Sequence, residues 1–98
     1  MGVTVKGVKI AFAKIDSDDS PKGAFAIDHE CTIMNYVCPC ADPTCTVLGT
    51  LRLRRDNHAT PHPSWAFDGN MDAPTLNPSI NHVDHWHGWL RAGVWESV

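Results

Sequence analysis

Three thiols stand close together in Cys38-Pro39-Cys40-Ala41-Asp42-Pro43-Thr44-Cys45. The two prolines and the aspartate make this segment a tight, pre-bent loop that can turn several sulfurs toward one point. Further along, Asn81-His82-Val83-Asp84-His85-Trp86-His87 supplies three imidazoles and a carboxylate. His85 and His87 are two apart, so they share a face if the segment is a strand, and together they could hold one ion. Thiolate and imidazole are the donors that Zn2+ takes in tetrahedral sites. An ion joining the loop near residue 40 to a strand near residue 86 would tie the two halves of the chain together. Metal-driven folding of a small domain is worth on the order of 10 kcal/mol. The spacing is not that of a zinc finger or ribbon, which use paired C-x-x-C elements. Cys31 lies outside the cluster and is expected to be a core thiol.

Catalytic spellings narrow the chemistry. A zinc deaminase needs H-x-E followed by P-C-x-x-C, but here His29 and Glu30 are adjacent and four residues separate Cys40 from Cys45. A JAB-type metalloprotease pattern counted from His87 puts Trp95 and Val98 where its serine and aspartate belong. Three thiolates would in any case make a closed site poorly suited to activating water. A serine nucleophile needs a nearby base, and Ser79 has His82, His85 and His87 within a few residues, though no G-x-S-x-G elbow surrounds it. Asp16 to Gly23 begins like a calcium loop but lacks its glycine and its final glutamate, so it is expected to be a solvated turn.

Composition sets the frame for these groups. The chain has 98 residues, 43% hydrophobic and 19% charged, the values of one small globular domain over residues 1–98. Its net charge of −3 argues against nucleic acid or anionic lipid as a partner. No apolar run is long enough to cross a membrane as a helix, and residues 1–14 lack the pattern of a secretory signal, so a cytoplasmic location is expected. In a reducing compartment the four cysteines read as metal ligands in preference to disulfides. The tryptophans Trp65, Trp86, Trp89 and Trp95 are expected to be core or ledge residues, and Arg52, Arg54 and Arg55 a solvated strand edge.

The elements that must position the reactive groups are strands. Val3 to Phe12 reads as an opening strand broken near Gly7. Ala24–Ile27, Cys31–Val37 and Val47–Leu53 are further apolar or alternating segments. His58–Ser64, with Pro61 and Pro63, is expected to be an extended loop, and Asp68-Gly69 after Trp65-Ala66-Phe67 carries a hairpin signal. Pro74 and Pro78 restrict residues 72–78 to an irregular or edge segment. Ser79–His82, His85–Arg91 and Val94–Ser97 complete the set, with Ala92-Gly93 as the last turn. The expected fold is all-β or β-rich, small, zinc-stapled and almost without helix.

Four motifs in order, Cys38-Pro39-Cys40, Trp65-Ala66-Phe67-Asp68-Gly69, Pro74 to Ile80, and His87 to Trp95, resemble a phage and bacterial domain family of the BubE type. The family is often labelled "ammonia monooxygenase" and is also found beside bacterial ubiquitin-like (Bub) conjugation genes. The likeness runs from about Ala24 to the end. It implies a zinc-binding β-rich domain with peptidase activity on a ubiquitin-like or other small protein, hence a protein substrate or partner. Mapped by motif, Cys38, Cys40, Cys45 and His87 take the metal positions and Ser79 the serine of the P-S-I triplet. Ser79 with His85 is the expected reactive pair. The family has a Cys three residues before its His, where this chain has Asp84, so His82, Asp84 and His85 compete as the fourth ligand. The rival reading is a non-catalytic zinc-stapled adaptor that binds a host or virion protein through its tryptophan-rich face. The monooxygenase label finds no copper-binding set in this sequence.

Overall fold

The computed structural model describes residues 4–16, 19–54 and 63–98. Most of the loop expected over His58–Ser64, and the middle of the acidic turn, fall outside them. Every regular element among the described residues is a strand: β1 Thr4–Lys6, β2 Val8–Lys9, β3 Ala24–Ile27, β4 Ile33–Val37, β5 Leu48–Arg54, β6 Trp65–Phe67, β7 Leu76–Asn77, β8 Ile80–His82, β9 Trp86–Arg91 and β10 Val94–Ser97. They form a four-stranded sheet in the order β1-β10-β9-β8 and a six-stranded sheet in the order β2-β3-β4-β5-β6-β7. The β-rich expectation holds, and no described helix is long and apolar enough to cross a membrane.

Residue patterning explains the pairing. In β5, Gly49, Leu51 and Leu53 are buried while Leu48, Thr50 and Arg52 face outward, the period-2 alternation of a strand with one face on the core. The opening segment breaks at Gly7 because the chain changes sheets there: β1 pairs with β10 and β2 with β3. A Cβ on Gly7 would lie 2.5 Å from the Gly93 carbonyl oxygen, the acceptor of the Gly7 N–H, so only glycine permits this crossing. Ala92 and Gly93 both have positive φ and join β9 to β10 by a two-residue turn, as its spelling predicts. Asp68-Gly69 does not make such a turn. β6 and β7 pair antiparallel across a longer connection whose ends are gathered by the Asp68 carboxylate, which accepts hydrogen bonds from the backbone of Asn70 and Thr75.

The core lies between the sheets, with Phe25, Met34, Tyr36, Leu51 and Leu53 on one side and Ile80, Trp86, Leu90 and Trp95 on the other. Trp95 is fully buried, donates its indole N–H to the Gly23 carbonyl at 2.8 Å, and packs tilted on Tyr36 at 5.1 Å and edge-to-face on Trp86 at 5.6 Å. Burying a side chain of the size of Leu90 stabilises such a core by about 1.5–3 kcal/mol. Two of the four tryptophans are therefore internal, which removes them from any tryptophan-rich docking face. Cys31 is half-buried with its thiol on the Met71 sulfur, away from the other three thiols, as a packing cysteine should be.

Candidate functional site

The thiol loop grows from the end of β4. Cys38 continues the β4–β5 ladder by one step, its N–H donating to the Val47 carbonyl at 2.8 Å, so both ends of the loop are fixed to the sheet. Within it, the Asp42 carboxylate accepts the Thr44 N–H and hydroxyl at 2.9 and 2.7 Å, a local turn that brings Cys45 back toward Cys38. Those bonds, the Thr44 hydroxyl first, hold the Asp42 carboxyl below the usual carboxylate range. Sγ of Cys38, Sγ of Cys45 and a ring nitrogen of His85 all lie within 4.8 Å of one another, with Cys45 Sγ 3.8 Å from His85 Nδ1. Cys40 is not among these clustered donors: its thiol lies 3.9 Å from the Asp42 carbonyl, to which it donates, in the same loop. In a tetrahedral site with Zn–S bonds of about 2.3 Å the sulfurs stand about 3.8 Å apart, so Cys38, Cys45 and His85 fit such an ion with little rearrangement. All four cysteines are free thiols, which leaves the three of this loop open to a metal.

Burial pushes the Cys38 thiol up to about 12, whereas for Cys40 burial is outweighed by the backbone of Asp42, the two neighbouring thiols and the Lys22 ammonium, and its net shift is downward. Lys22 donates to the carbonyls of Cys38 and Cys45 at 3.0 and 3.2 Å and approaches Cys40 Sγ at 3.7 Å. It supplies a cation to a loop that must collect negative sulfur, and nothing in the spelling of residues 19–24 singles it out.

The histidine segment is divided by a turn. His85 N–H donates to the His82 carbonyl, Asp84 has φ 67°, and β9 begins only at Trp86. Strand alternation therefore does not extend to His85, and the structure sends the two histidines different ways: His85 to the thiols, His87 to the outer face of its sheet. There His87 Nε2 stands 3.4 Å from Ser79 Oγ. Of the other candidates for the ion, His82 gives Nδ1 to the Tyr36 hydroxyl at 3.0 Å and lies with its ring 4.8 Å from that of His85. Burial and then the neighbouring His85 lower the His82 pKa, and burial and then Cys38 raise that of Tyr36. Asp84 borders an open hollow of about 630 Å3 beside Cys40, Cys45 and His85 but is not among the clustered donors.

Ser79 is held at the start of β8 by the Trp65 indole, which donates to the Ser79 carbonyl at 3.2 Å. His87 lies in the β8–β9 ladder directly opposite Asn81. Ser79 is thus carried by the residue just before β8 and His87 by the adjacent β9, one hydrogen bond apart. Tyr36 and Lys22 are the residues that sequence reasoning missed, the first because an aromatic in an apolar strand reads simply as core.

No curated protein and no solved structure matches the chain. The model of one family does match, over residues 12–98, beginning earlier than the likeness from Ala24. By that match the chain belongs to the bacterial ubiquitination-like system serine protease (BubE) family.

Proposed function

We propose that this domain is a serine peptidase acting on a ubiquitin-like or other small protein, with Ser79 as nucleophile and His87 as its base. The carrying observation is the 3.4 Å approach of Ser79 Oγ, just before β8, to His87 Nε2 on the neighbouring β9. Nucleophile–base pairs are often this loose before substrate tightens them. In this reading His87 takes the Ser79 proton as Oγ attacks the substrate carbonyl carbon, then gives that proton to the departing amine as the C–N bond breaks. Water repeats the sequence on the resulting ester, His87 taking its proton and returning it to Ser79 as the acid product leaves.

Cys38, Cys40, Cys45 and His85 would hold a Zn2+ ion, whose chemistry in a full thiolate–imidazole shell is structural closure of the fold. The proximity of Cys45 and His85 supports His85 as the fourth ligand and leaves His87 for Ser79. The domain would span residues 1–98 as one unit. The test is cleavage of a ubiquitin-like precursor by the zinc-loaded protein and by its Ser79→Ala and His87→Ala variants. Product from the wild type and none from either variant is expected. No product from the wild type, or equal product from Ser79→Ala, would leave the adaptor reading in its place.

A further inference from the structure

Two strand edges face each other beside Ser79 without being paired among the described residues. Among the described residues β8 pairs with β9 on one side, and β5 has β4 along its length while β6 pairs with Leu53 and Arg54 on its other side. Antiparallel ladders turn the N–H and C=O of alternate residues to opposite sides. The Leu53 N–H bonds to Thr32 and the Cys38 N–H to Val47, so the odd-numbered residues of β5 bond toward β4 and the main chain of Leu48 and Thr50 faces away. The Val98 N–H bonds to His87, which turns Trp86 and Gly88 toward His82 and Ile80 and leaves the main chain of Asn81 directed out of the sheet. Between these edges lies a cavity of about 150 Å3 lined by Tyr36, Gly49, Thr50, Trp65, Asn81 and His82. Its floor is the Tyr36 ring, which crosses from β4 over Gly49, where a Cβ would strike it, to the His82 imidazole of β8.

We infer that this gap is a strand-shaped subsite that takes one extended segment of the protein substrate. The segment joins the fold as an added strand, exchanging main-chain hydrogen bonds with Thr50 on one side and Asn81 on the other, and its carbonyls pass the Oγ of Ser79. This mode of recognition draws affinity from the backbone and selects side chains at alternate positions. The small cavity between Tyr36 and Trp65 admits only small residues, such as glycine or alanine, at the inward positions. That the occupant is a substrate rests on the peptidase reading above; the subsite itself rests on the two open edges.

The test uses the full chain, zinc-loaded, as the Ser79→Ala variant, and a capped hexapeptide of alternating threonine and glycine at about 1 mM. Amide hydrogen exchange at Thr50 and Asn81, read by NMR, is expected to slow by about tenfold with this peptide and not with its N-methylglycine counterpart. Thr50→Pro, which removes an N–H that β4 does not use, should abolish the effect, and Thr50→Val should keep it. Unchanged exchange at both amides, equal slowing by the N-methylated peptide, or protection by self-association without peptide would overturn the inference. Should Thr50→Pro not fold, the N-methylated peptide still decides. Cleavage of the same peptide by the wild type is followed separately by mass spectrometry. Protection without cleavage keeps the subsite and counts against the peptidase reading, whereas cleavage that Thr50→Pro leaves unchanged keeps the peptidase and removes the subsite.

Discussion

At the tip of the β8–β9 hairpin His85 sits in a turn, 3.8 Å from the Cys45 sulfur; two residues on, His87 sits in a strand with Nε2 3.4 Å from Ser79 Oγ. The first contact joins residues distant in sequence through a loop whose ends are fixed to the β4–β5 ladder and whose middle is held by its own short turns. The second joins β9 to the residue that leads into β8, and those two strands are already fixed to each other by a ladder. In the proposed reading an ion in the first region contributes to whether the chain folds, while the second inherits its geometry from strands paired without it. On that reading one hairpin carries a closure and a reactive pair, which mutation should separate.

The largest expected effect breaks that comparison at the closure. Metal-binding energy on the order of 10 kcal/mol is comparable with the whole stability of a small domain, about 5–15 kcal/mol. Cys45→Ser, His85→Ala, or chelation should therefore leave the chain largely unfolded at room temperature, as checked by circular dichroism melts with and without added Zn2+. Retention of the native melt in all three would show that the thiols close nothing. Next comes the reactive pair: Ser79→Ala or His87→Gln should lower kcat by about a thousandfold or more, as loss of a nucleophile or its base does. Both residues are partly or fully exposed, so the melting midpoint should move by no more than about 2 °C. A fall in stability with His87→Gln equal to that with His85→Ala would erase the distinction between the two histidines.

Much of this was legible because strands advertise themselves. Alternation gave β5, the prolines marked β7 as a short edge, Ala92-Gly93 gave the final turn, and the proline-bounded thiols gave the donor cluster. What the sequence withheld was the direction of individual side chains near turns. Treating His85 to Arg91 as one strand places His85 and His87 on one face, but the positive φ of Asp84 ends the alternation just before β9. Lys22 and Tyr36 were hidden for a related reason. Their partners, the Cys38 carbonyl and His82, lie across the fold and leave no local pattern.

Smaller changes sharpen the comparison by acting on both regions or on neither. Gly88 follows His87 in β9, opposite Ile80, and a Cβ there would strike the Glu96 carbonyl of β10. Because backbone must move, Gly88→Ala should cost about 2–3 kcal/mol, lowering the denaturant midpoint and both zinc affinity and kcat/KM together. Tyr36→Phe removes one partly buried hydrogen bond to His82 and should cost about 1 kcal/mol, read as a shift of the thermal midpoint by a few degrees.

The last change should touch neither region. Ala92 holds φ 48° in the β9–β10 turn, a left-handed conformation that a Cβ makes costly and that asparagine tolerates better. Its N–H donates to the Thr75 hydroxyl at 2.8 Å, a bond that asparagine keeps. Ala92→Asn is thus expected to raise stability by about 0.5 kcal/mol through relieved strain, with zinc stoichiometry and kcat unaltered. The measurement is a urea midpoint alongside a single cleavage assay. A higher midpoint with unchanged chemistry would mean that the hairpin's far end sets how firmly β9 is held without setting where its histidines point. A changed rate would mean that the two ends of β9 are mechanically coupled, and that the separation between closure and reactive pair stops at the tip of the β8–β9 hairpin.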